Sequence, residues 1–106
     1  MERSEEEVKA YIENIVPEFR EHKQRIIQAY GKDRVDKALN QRVEVIRRTH
    51  EDIRIVCPDV KVEEVVNVFN DTVDRKCIAE HVDAVGNLYN KQLNIIAGMI
   101  IRGYDI

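Results

Sequence analysis

Four acidic residues stand at spacings that suit a divalent cation. Glu63 and Glu64 are followed by Asn67, and Glu80 precedes Asp83 by three residues. Residues three or four apart share one face of a helix. Read as two adjacent antiparallel helices, these stretches would offer a cluster of hard oxygen ligands. Mg2+ takes such ligands and also binds substrate phosphates. The chemistry would be metal-activated attack of water on a phosphate chain. The plainer reading is a solvated acidic face.

The pattern resembles, in degenerate form, the motif of the all-α MazG-type nucleotide pyrophosphohydrolases. That family uses a Glu-Glu-x-x-Glu helix and a Glu-x-x-Asp helix to bind magnesium and hydrolyse nucleoside triphosphates. The resemblance covers about residues 61–90 and implies Glu63, Glu64, Glu80 and Asp83 as the metal-holding set. Asn67 stands where the motif has its third acid, which removes a ligand.

Three further groups invite chemistry. Arg42 falls inside the apolar stripe of the second helical segment, His50 lies at its edge, and His22 faces the stripe of the first. A hairpin through 31–33 would set His22 opposite Arg42, and His50 near Glu13 and Asn14. The three make a candidate anion pocket or a buried polar cluster, because buried charges need partners and Arg presents a planar fork to carboxylate or phosphate. Asp83, Asn87, Asn90 and Asn94, spaced 4, 3 and 4, form a polar line along the last helix. Such a line is either a solvent face or a hydrogen-bonded seam against a neighbouring helix. Arg75 and His81 fit the loose Arg-x₄₋₆-His spacing that resembles the all-α HEPN ribonucleases.

Other chemistry has no visible carrier. There is no Glu-x-x-His pair, no His-x-x-x-His zinc site and no Gly-rich phosphate loop. Ser4 is the only serine, and Trp is absent. Cys57 and Cys77 are too few for a disulfide scaffold and lack metal-ligand spacing. The acidic start lacks the basic region of a signal peptide, and no apolar run approaches the ~18 residues of a membrane span. These features lead to the expectation of a cytoplasmic protein without a membrane segment.

Charge is uneven within a net of −3. Residues 1–19 carry two basic and six acidic groups, residues 20–54 ten and six, and residues 55–106 five and eight. A basic centre between acidic ends favours pairing within or between subunits and argues against a nucleic-acid footprint. Arg42, Arg47, Arg48 and Arg54 would be the residues of a nucleic-acid face, but Arg47 and Arg48 diverge by about 100° on a helix.

The elements that must position these groups read as helices. Val and Ile total 27 against three Leu, a strand-favouring composition, yet the apolar residues recur at helical spacing. Ser4 and Glu7 form a capping box ahead of a helix over 5–30 whose stripe holds phase through Pro17, as in one kinked helix. Gly31 is its C-cap. A second helix is expected over 34–56, with Asp33 as N-cap, ended by Pro58. The stripes from Val62 and from Ile78 are out of phase by roughly 150°. That mismatch predicts a break near Asn70-Asp71-Thr72 and helices over 61–72 and 76–101. Alternation in 53–62 also fits a small hairpin.

These features predict one all-α up-and-down bundle of about four helices over 1–106. The last helix carries a wide apolar arc flanked by Leu88, Ile95 and Met99, which marks it as the expected homodimer interface. The sequence thus reads as a non-catalytic, homo-oligomeric interaction or regulatory protein with no cofactor and possible room for another protein partner. The magnesium-dependent pyrophosphohydrolase is the alternative.

Overall fold

The structure is a computed structural model that describes residues 4–80 and 84–104, the side chains of Val8, Tyr11 and Ala84 excepted. Four helices follow one another: α1 (Glu5–Tyr30), α2 (Lys32–Val56), α3 (Val62–Glu80) and α4 (Ala84–Ile101). They pack together as an all-α bundle.

Local chemistry sets most boundaries. The Ser4 hydroxyl accepts the Glu7 N–H at 3.2 Å and starts α1, relieving one of the unpaired donors of the first turn. Pro17 stands inside α1 on an exposed position, and the helix continues through it. Gly31, at φ 88°, donates its N–H to Ile27 and closes α1 in a conformation that L side chains rarely adopt. The same residue opens α2, because the Val35 N–H reaches the Gly31 carbonyl at 3.1 Å. The second helix therefore begins at Lys32, and Asp33 lies in its first turn instead of capping it. Residues 53–56 complete α2, and a turn from Cys57 to Val60 ahead of α3 takes the place of a hairpin. Gly103, at φ 86°, ends α4 by donating to Ile100 while the Tyr104 N–H donates to Met99. This bond pair is a Schellman motif.

The break between the last two helices falls elsewhere than the stripe phases predict. α3 runs through Asn70-Asp71-Thr72 and ends at Glu80, and α4 begins at Ala84. No Gly or Pro interrupts that stretch, and the Thr72 hydroxyl stays inside the helix by donating to the Val68 carbonyl at 2.9 Å.

Two apolar clusters share α2 and α4. Ile26, Val35, Leu39, Leu93 and Ile96 join α1 to α2 and α4, with the Tyr30 and Tyr89 rings 4.2 Å apart beside them. Ile46, Val65, Val66 and Ala97 join α3 to the same pair. α4 thus packs against all three other helices, and Ile96 and Ala97 are wholly buried. The wide apolar arc of the last helix is used inside one chain.

α3 and α4 approach closely at Gly98. A Cβ there would stand 2.6 Å from Val66 Cγ2. Val66 is β-branched and has little rotamer freedom to yield. Gly98→Ala should therefore lower stability by about 1–2 kcal/mol, overpacking outweighing the gain in helix propensity. In a Val66→Ala background the same change should turn neutral or stabilising. Urea unfolding of the two singles and the double checks both statements.

Candidate functional site

The polar line on α4 lies between helices. Asn94 is fully buried. Its Oδ1 accepts from Arg42 Nη1 on α2 at 2.9 Å, and its Nδ2 donates to Asn70 Oδ1 on α3 at 3.2 Å. One turn earlier, Asn90 Oδ1 accepts from Arg42 Nη2 at 2.9 Å. Another turn back, Asn87 Nδ2 donates to Asp74 on α3 at 3.2 Å, and Lys91 holds the same carboxylate at 2.7 Å. The 3–4 spacing puts Asn87, Asn90, Asn94 and Lys91 along the side of α4 where α2 and α3 flank it. Of the two readings of this stripe, the seam is the one observed, and its partner helices belong to the same chain.

The seam has a titratable end. The Lys91 ammonium, joined by the Asn87 amide, holds the Asp74 carboxyl below its ordinary value of 3.8. A depressed folded-state value adds stability that is complete above the ordinary carboxylate range and is lost as pH falls through the folded value. Stability measured by urea midpoint between neutral pH and pH ~3 should fall more steeply in the wild type than in Asp74→Asn.

The candidate cluster of His22, Arg42 and His50 does not assemble. Arg42 sits in the seam. Gln92 Nε2 on α4 donates to His22 Nδ1 at 3.2 Å, and His22 Nε2 faces Glu18 at 3.5 Å. His50 Nε2 donates to the Val60 carbonyl at 3.0 Å, which ties α2 to the turn ahead of α3 and leaves Glu13 and Asn14 out of its hydrogen bonding. Each of the three has its own partners: His22 on α1 and α4, Arg42 on α4, and His50 in the turn ahead of α3.

Three of the four candidate metal-holding acids do not converge either. Glu63, Glu64 and Glu80 all lie on α3, and the 17 residues from Glu63 to Glu80 hold the ends about 25 Å apart along one helix. Glu63 pairs with Arg102, just past the end of α4. Glu64 accepts the Lys61 N–H at 3.4 Å and serves as half of a capping box. Among the described residues no three His, Cys, Asp or Glu gather as metal ligands. Asp83 and His81 lie outside the described residues. The antiparallel arrangement that the magnesium reading requires is therefore replaced by a single helix with an acid at each end.

The expected interface on the last helix is mostly interior. Met99 is 3% exposed, and Arg102 Nη2 donates to its sulfur at 2.8 Å. Ile95 packs, half-buried, on the α3 cluster. Leu88 alone of the three is exposed.

Exposed apolar surface gathers on α2 and α3 instead. Val45, Thr49 and Ile53 of α2 face Val65, Val68 and Phe69 of α3 across shallow grooves of about 220 and 290 Å³. Val68 is 64% exposed and Val56, on the same face of α2, is 87% exposed. Val45 and Val68 fall off the core stripes of their helices, and that displacement is the signal for this face in the sequence. Asn70 and Asp74, one turn apart on α3, are the seam partners that stripe-reading passes over.

Beyond Arg42 the groove opens into a cleft of about 380 Å³ with a mixed polar and apolar lining, between α2, α3 and α4. Phe69, Thr72, Val73 and Lys76 of α3 line it together with Arg42 of α2 and Asn87 and Asn90 of α4. Comparison with protein-family models, curated proteins and solved structures finds no significant match.

Proposed function

We propose that the chain acts without catalysis, as a homo-oligomeric interaction module whose second copy covers the α2–α3 face. The observation that carries this reading is the exposed apolar row Val45, Ile53 and Val56 beside Val68. Such a row is costly to leave in water, and large exposed apolar patches mark interaction sites. The 19 residues of α3 span about 28 Å, and its first half, up to Phe69, borders the α2 groove. A small specific interface takes about 600 Å² of accessible surface from each partner.

The charges on this face favour a second copy. Arg48 and Asp52 stand one turn apart on α2, flanking Thr49. When two such helices meet antiparallel about a two-fold axis, Arg48 of each opposes Asp52 of the other. Isologous contacts have this reciprocal form. Among the described residues Arg48 pairs with Glu44 of its own helix, at 3.0 Å and on the surface, where such a pair is weak.

Sedimentation equilibrium tests the reading. The wild type should show twice the chain mass of 12.4 kDa, and Val68→Glu should show the chain mass with an unchanged helical circular dichroism spectrum. A wild type that stays at 12.4 kDa at high micromolar concentration, or a Val68→Glu variant that stays dimeric, would overturn it.

A further inference from the structure

Arg42 and Lys76 line the same cleft, and neither has a carboxylate partner among the described residues. We propose that this cleft binds a small organic anion, with a carboxylate or phosphate head on Arg42 and Lys76 and an apolar body against Phe69 and Val73.

The Arg42 guanidinium is fixed before any ligand arrives. The amide oxygens of Asn94 and Asn90 each accept one of its N–H groups. Two of five donors are thereby used and three remain. Both partners are neutral, so they set the direction of the fork without cancelling its charge. A planar carboxylate or a phosphate can take two parallel N–H bonds from such a fork. The part-buried position weakens screening by water and strengthens the attraction.

Among the described residues, two cations and one acid line the cleft. Glu80, near its Lys76 end, is the only acid that lines it among the described residues. Asp74, on the neighbouring turn, is occupied by Lys91 and Asn87. A cationic recess on a chain of net charge −3 is a local exception, and such recesses concentrate anions. About 380 Å³ lies within the roughly 300–1,000 Å³ of small-molecule sites. Phe69 and Val73 give that volume an apolar wall, which selects a ligand with a body over a bare ion.

The test is titration of the full chain with phenylacetate, phenyl phosphate and benzyl alcohol, followed in ¹H–¹⁵N spectra. Either anion should shift the Arg42 Nε–H, the Asn90 side-chain amide and the backbone amides of Thr72 and Lys76, and benzyl alcohol should shift them far less. The tighter of the two anions assigns the head group. Lys76→Gln should weaken anion binding about tenfold through loss of one charge-assisted contact. Its thermal midpoint should stay unchanged, because Lys76 is exposed. No shift at these positions with either anion would overturn the proposal. So would equal shifts from benzyl alcohol, or unchanged affinity in Lys76→Gln.

Discussion

Replacing Ile96 with Asp should unfold the chain. Ile96 is wholly buried on α4 and belongs to the cluster formed with Ile26, Val35, Leu39 and Leu93. A carboxylate there loses its hydration and meets only apolar neighbours. The lost packing adds a cavity cost of its own. Together these exceed about 5 kcal/mol, and a domain of this size has roughly 5–15 kcal/mol in total. Circular dichroism should show loss of most helical signal at room temperature, or a cooperative melt displaced far downward. Ile96→Val, which keeps the site apolar, should cost only about 1 kcal/mol. A melting temperature of Ile96→Asp equal to that of the wild type would place α4 outside the core.

Arg42→Leu should be the next most damaging change, although the residue is only half-buried. It removes the donors to Asn94 Oδ1 and Asn90 Oδ1. Asn94 is fully buried, so its carbonyl has no water to turn to. An acceptor stranded in this way costs about 1–3 kcal/mol, and with the second amide the expected loss is about 2–4 kcal/mol by urea unfolding. Arg42→Leu/Asn94→Leu should recover about half of that loss, because replacing both partners by apolar groups leaves nothing stranded at their contact. A double variant that loses the sum of the two single losses would show that the Arg42–Asn94 bond is not the source of the effect.

The sequence carries much of the fold in its boundary residues. Ser4, Gly31, Pro58 and Gly103 mark helix ends and starts, each through a constraint that acts locally. The end of α3 is different. A phase mismatch between the Val62 and Ile78 stripes requires a break but does not locate it, since no Gly or Pro marks the stretch between them. The site was less legible for a related reason. Amphipathic reading assumes that a helix has one buried face and one wet face. α4 is packed by three helices, so its asparagines lie inside and need partners there, and Asn94 finds them on α2 and α3 at once. The spacing of Asn87, Asn90 and Asn94 shows that they act together but does not say on which side of the molecule.

The same geometry accounts for two of the site readings that the structure corrects. The acids of α3 share a sequence motif, but their separation depends on whether one helix or two carries them, and the break after Glu80 leaves Glu63, Glu64 and Glu80 on one. Met99 and Ile95 look like interface residues only when the helix they belong to is taken as peripheral. Once α4 is central, Val45 and Val68, displaced from the core stripes of α2 and α3, are left exposed.

The measurement closest to the central claim is an isotope-filtered NOE experiment on an equimolar mixture of labelled and unlabelled chain. Methyl groups of Val45, Ile53, Val56 and Val68 should show intermolecular contacts, as a second copy on the α2–α3 face requires. Intermolecular contacts confined to Leu88 and Val85 on α4, or none at any methyl, would contradict it.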